Sequence, residues 1–132
     1  MNLVVGATGQ LGSEICRQLA AKGTPVRALV RATSDPAKVE ALRKLGAEIV
    51  LGDVRDRASL DAACRGVSTV ISTVSAMPFS YRPGENDLNS VDIGGVTNLI
   101  AAAKAANVRH LIYTSFSGNI RPTSTIRIFS PY

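Results

Sequence analysis

The 132-residue chain has two cysteines, Cys16 and Cys64, and a single histidine, His110. Two cysteines make no disulfide framework, and neither stands near another metal-ligating residue type at useful spacing, so no metal site is expected. Both thiols read as structural, and His110, at the start of a predicted strand, is expected to be a surface or hydrogen-bonded residue. No apolar run approaches the roughly 20 residues needed to span a bilayer. The N-terminus also lacks a basic stretch followed by an apolar signal core. No membrane partner is therefore expected, and the location is expected to be cytoplasmic. Lys and Arg number 15 against 10 Asp and Glu, a net charge of +5, but the arginines are scattered along the chain. A nucleic-acid partner is not expected from such scatter, whereas positive potential would help recruit a small anionic ligand. With 45% hydrophobic and 19% charged residues, the composition is that of a folded chain. The length admits one core and is too short for two ordinary domains.

What is present is most informative at the start. Val4-Val5-Gly6-Ala7-Thr8-Gly9-Gln10-Leu11-Gly12 joins an apolar strand to a helix through three glycines. Gly6 suits a tight turn off the strand, Gly9 lets backbone approach a pyrophosphate, and Gly12 has no Cβ to hold the helix off the sheet. The open N–H groups and positive dipole end of the helix then face an anion. The context fits a βαβ unit: a strand over Met1 to Val5, a helix carrying Leu11, Ile15 and Leu19 up to Lys22-Gly23, and an alternating strand Val26 to Val30.

The rhythm continues. Asp35-Pro36 opens a helix with Val39, Leu42 and Leu45 on its apolar face, ended by Gly46. Glu48 to Leu51 is a third strand, Ala58 to Cys64 a short helix, and Thr69 to Thr73 a fourth strand. A looser stretch from Ser75 to Asn86, with Pro78, Pro83, Gly84, Phe79 and Tyr81, reads as a ligand-covering loop. A helix is expected from about Asp87 to Ala106, weakened by Gly94-Gly95, and then a fifth strand Arg109 to Thr114. Strands separated by helices predict an α/β, doubly wound parallel sheet of five main strands in order 3-2-1-4-5.

Taken together, Gly6 to Gly12, Val30-Arg31, Gly52-Asp53-Val54, Val91-Asp92 through Asn98-Leu99-Ile100, and Ala101-Ala102-Ala103 resemble the NmrA-like, atypical branch of the short-chain dehydrogenase/reductases. The likeness covers approximately residues 1 to 118. It implies an NAD(P)-binding Rossmann domain over 1–118, with Gly6, Thr8, Gly9, Gln10, Leu11 and Gly12 at the pyrophosphate. Residues 119–132 are expected to be an atypical tail: either an edge strand over Thr125 to Phe129 or an unfolded remnant of a truncated domain.

The expected cofactor is NADP over NAD. An acidic residue commonly ends the second strand where NAD is preferred, but here Arg31 stands there, and its planar fork suits a 2′-phosphate, with Thr33 and Ser34 as further donors. The other reading of Arg31 is a solvent-facing strand end. Asp53 falls where related proteins bind the adenine amino group, with Val54 on the ring, or else Asp53 caps the following helix. Thr73, Val74 and Ser75 end the fourth strand near the ribose and pyrophosphate, or form a plain polar turn.

No catalytic residue is assigned. The superfamily's usual tyrosine with a lysine four residues later does not occur: Tyr81 is followed at that spacing by Glu85, Tyr113 by Ser117, and no lysine follows Lys104. Ser115 is not read as catalytic. The expectation is an NADP(H)-binding protein without a complete active site, a redox-state sensor with a protein partner. The alternative is an NADPH-dependent oxidoreductase acting on quinones or other small carbonyl compounds. A scaffold that has lost its cofactor is the third reading, which the intact Gly6, Gly9 and Gly12 oppose. An exposed sheet edge further predicts a homo-oligomer.

Overall fold

Short, largely apolar strands build a sheet with a buried core layer on each face. The computed structural model describes residues 1–74 and 93–114. The elements are β1 Asn2–Val5, α1 Gln10–Ala21, β2 Val26–Val30, α2 Pro36–Lys44, β3 Glu48–Leu51, α3 Arg57–Ala63, β4 Thr69–Ser72, α4 Gly94–Ala105 and β5 His110–Tyr113. The described strands form one parallel sheet in the order β3-β2-β1-β4-β5, as the strand-helix rhythm predicts.

Register places Ile49, Ala28, Val4, Ile71 and Ile112 side by side across the sheet. Because successive side chains point to opposite faces, Val4 and Ala28 meet Cys16 of α1 and Leu42 of α2 on one side. On the other, Leu3, Val5, Leu29 and Val70 meet Leu60 and Cys64 from the α3 end and Leu99 and Ala102 of α4. The two cysteines thus lie in separate core layers, buried and unbridged. Burial pushes the Cys16 thiol up to about 11 and raises that of Cys64.

Local chemistry sets the helix ends. Asp35 caps α2 by accepting from the Ala37 N–H at 2.9 Å, with Pro36 in the first turn, as expected. At the opposite end of the sheet from the glycine loop, Arg27 reaches from β2 to the end of α3. Its Nη1 donates to the carbonyls of Ala63 at 2.7 Å and Arg65 at 2.6 Å, and its Nε pairs with Glu48 at 3.2 Å. A cation there complements the negative end of α3 and satisfies carbonyls that helix geometry leaves open.

Several boundaries differ from the expected ones. The fourth strand ends at Ser72, and α3 begins at Arg57 and ends at Ala63. Of the helix expected from about Asp87, the described part begins at Gly94, with Gly95 buried. The loop Ser75 to Asn86, residues 87–92, Ser115 and the tail 119–132 lie outside the described residues. The whole of β5 is exposed, and Ile112, in register with the buried Val4 row, is 50% exposed.

Candidate functional site

The site forms where four strands end. Chain reversal between β1 and β4 leaves a crevice at their carboxyl ends, the usual position for ligands in open α/β sheets. A cavity of about 260 Å³ lies there, lined by residues from the ends of β1, β2, β3 and β4 and from the loop into α1.

The loop is shaped by two glycines with internal reasons for being glycine. Gly6 has φ +86°, and a Cβ there would stand 2.6 Å from Thr73 Oγ1. A Cβ on Gly12 would stand 2.0 Å from the Gly6 carbonyl oxygen, so α1 rests directly on the turn. Thr73 locks the arrangement. Its N–H donates to the Val5 carbonyl at 3.0 Å, and its hydroxyl donates to the same oxygen at 3.3 Å and to that of Gly6 at 3.4 Å.

Gly9 is different. A Cβ there would meet only the Gly6 carbonyl, at 3.4 Å, an ordinary contact. Among the described residues no packing requires glycine at this place, and Gly9 lines the cavity. Gly9 is also the N-cap of α1 and offers no side-chain acceptor. Its own N–H is taken by the Gly6 carbonyl at 3.1 Å, while the N–H groups of Gln10, Leu11 and Gly12 find no acceptor among the described residues. Open N–H groups at a helix start form an anion-binding end.

Arg31 leaves the end of β2 at the cavity. Its backbone N–H donates to Ser34 Oγ at 3.0 Å, and the Ser34 N–H returns a bond to the Arg31 carbonyl at 3.0 Å. The loop is thereby closed on itself, and no hydrogen bond or ion pair engages the Arg31 guanidinium among the described residues. Ser34 lines the cavity with it; Thr33 does not.

Asp53 lines the facing wall, the sole carboxylate among the described lining residues, and its side chain is 24% exposed. Arg55 Nε donates to Oδ1 at 3.0 Å, Nη2 to Oδ2 at 2.7 Å, and the Arg55 backbone N–H to Oδ1 at 2.9 Å. These bonds from Arg55, with a smaller contribution from the field of Arg31, hold the carboxyl below its ordinary range against the opposing effect of burial. Asp53 is not the cap of the following helix. Asp56 is, accepting from the Ala58 N–H at 3.1 Å, because α3 begins one residue after it.

The structure therefore brings Gly6, Thr8, Gly9, Gln10, Leu11, Arg31, Asp53, Val54, Thr73 and Val74 to one cavity. Gly12 lies beneath as a packing residue, and Ser75 lies outside the described residues. Val54 is largely buried, and its carbonyl accepts from Asn98 Nδ2 of α4 at 2.9 Å. Val5, Leu29 and Gly52 also line the cavity, although no site role is expected of them from the sequence. A signal was present in each case: Val5 and Leu29 lie at the strand ends, and Gly52 immediately precedes Asp53. A Cβ on Gly52 would stand 2.7 Å from Leu29 Cδ1.

A family model described as the NmrA-like family matches residues 2–128. The chain belongs to the NmrA-like family. This match runs past residue 118, the approximate limit of the resemblance read from the sequence. Sterol demethylase protein B of Methylococcus capsulatus is 40% identical over 119 residues, 89% of this chain and 35% of that protein. An NAD(P)H azoreductase of Xenophilus azovorans is 35% identical over 128 residues, 97% of this chain and 39% of that protein. The solved NADPH complex of an NADPH-dependent quinone oxidoreductase from Escherichia coli superposes with a TM-score of 0.65. It is 34% identical, and the match covers 88% of this chain and 37% of that one. The chain spans little more than a third of the length of these curated relatives. No helix among the described residues is long and apolar enough to cross a membrane.

Proposed function

We propose that the cavity is the adenosine and pyrophosphate half of an NADP(H) site, and that this NmrA-like chain serves an NADPH-dependent reductase. The observation that carries the cofactor reading is Arg31, whose guanidinium has no partner among the described residues at the end of β2. An unpaired, permanently charged fork in that place fits a 2′-phosphate rather than a bare ribose. Three further features fit the group: the open N–H groups at the start of α1, the space beside Gly9, and the Asp53 carboxylate on the facing wall.

In this reading Gln10, Leu11 and Gly12 offer N–H donors to the pyrophosphate, while Arg31 and the Ser34 hydroxyl hold the 2′-phosphate. Asp53 accepts from the adenine amino group, and Leu29 and Val54 supply apolar wall. The cofactor, when bound, supplies a hydride. The chain's own part is to hold the adenosine end so that the reactive end is presented in register with a substrate.

A reductase role is supported by the relatives named for azo and quinone reduction. Their activities belong to proteins of which this chain matches little more than a third, so substrate class remains part of the proposal. A regulatory sensor that reports the NADP(H) state is the second reading. Calorimetric titration with NADPH and NADH in parallel tests the cofactor claim, and the expected result is preferential NADPH binding. Steady NADPH consumption with a quinone panel favours the reductase; tight binding without turnover favours the sensor. A folded chain that binds neither nucleotide contradicts both readings.

A further inference from the structure

Within the proposed NADP(H) site, a charge that does not line the cavity is placed to govern its selectivity. We propose that Arg55 sets the preference for a 2′-phosphorylated nucleotide by neutralising the Asp53 carboxylate, leaving Arg31 unencumbered for the phosphate.

Among the described lining residues Arg31 is the sole cation and Asp53 the sole anion, and they enter from the adjacent strands β2 and β3. An unpaired carboxylate on that wall would act against the site in two ways. It would repel a dianionic phosphate, and it would draw the Arg31 fork toward itself. Among the described residues Arg31 makes no ion pair, and both Asp53 oxygens are engaged by Arg55 through two side-chain bonds and one backbone bond. Paired guanidinium–carboxylate bonds are directional and strong for their kind. The pairing is also local, because Asp53 and Arg55 belong to one short turn before α3. Arg55 is a positioning and charge-balancing residue in this account.

The test is a two-by-two comparison of Arg55→Ala, Asp53→Asn and the double variant, each titrated with NADPH and NADH. Arg55→Ala is expected to weaken NADPH roughly twofold to fivefold, the range of a partly screened charge pair, while changing NADH little. Adding Asp53→Asn in the same chain is expected to restore the NADPH-to-NADH ratio, because no carboxylate then remains to be neutralised. The selectivity defect should also shrink as ionic strength rises. Arg55→Gln, which keeps bulk and a donor, provides the reading if Arg55→Ala unfolds. Equal weakening of both nucleotides, or no recovery in the double variant, overturns the inference while leaving the cofactor assignment standing. An unaltered chain with no NADPH preference overturns both.

Discussion

Gly12 sits on the carbonyl of Gly6 so closely that a single added methyl would stand 2.0 Å from that oxygen. The helix and the turn it follows are thus one packed unit. The obstructing atoms are backbone, so they cannot turn aside as a flexible side chain would. Gly12→Ala is expected to lower stability by about 1–3 kcal/mol or more, the cost of overpacking. A shift in the midpoint of denaturant unfolding checks this. Gly9→Ala meets only an ordinary contact at 3.4 Å. It should leave the midpoint nearly unchanged while weakening nucleotide binding, a split that separates a packing glycine from a ligand-facing one.

Arg27 makes the complementary case at the far end of the sheet. Its side chain is 14% exposed and satisfies two carbonyls at the end of α3 besides pairing with Glu48. Arg27→Met should destabilise the fold by about 1–3 kcal/mol, since the carbonyls lose their charged donor. Thermal unfolding measures the loss. Nucleotide affinity of the folded fraction should not change, because Arg27 does not line the cavity.

Thiol chemistry offers a clean check on the two core layers. Cys16 and Cys64 are both buried, and both thiols are shifted above their ordinary range by burial. At pH 8 the folded chain should react slowly with a thiol reagent at either position, and both should react at once in denaturant. Fast modification of the folded protein would contradict the packing described.

Asp53 gives a pH dependence with a definite sign. Its folded value lies below the usual 3.8, chiefly through Arg55. The associated stabilisation is fully present above the unfolded value and is lost as pH falls through the lower folded one. Asp53→Asn should therefore flatten the acid limb of the stability profile below about pH 4, where Asp ordinarily titrates, and change its slope little near neutrality. An unaltered acid limb would show that the pair with Arg55 is too solvated to matter.

Much of this architecture is legible in the chain. Each strand is a short run rich in apolar or β-branched residues between helix stops and caps, so strand order follows from crossover rules once the elements are located. The glycine loop and Arg31 are legible for the same reason, since turn geometry and strand ends are local properties. Asp53 is less so. Gly52-Asp53-Val54-Arg55-Asp56 offers two aspartates as caps, and the choice depends on where the first helical turn begins. The helix starts at Arg57, so Asp56 caps it and Asp53 is left to pair with Arg55. The exposure of β5 was partly anticipated as an open edge. Leu11, expected both at the pyrophosphate and on the apolar face of its helix, is 52% exposed beside the cavity.

The same β5 edge carries the expectation of self-association. Leu111, Ile112 and Tyr113 are all exposed along it. Light scattering over a range of concentrations should show a mass above that of one chain; a constant single-chain mass would contradict it.

The central claim is that Arg31 receives a 2′-phosphate. Its most direct test is calorimetric titration of the unaltered chain and Arg31→Ala with NADPH and NADH under one salt condition. The account predicts that the substitution costs NADPH roughly tenfold or more in affinity, as for a lost charge-assisted contact, and leaves NADH nearly untouched. Equal losses for the two nucleotides, or none for either, would contradict it.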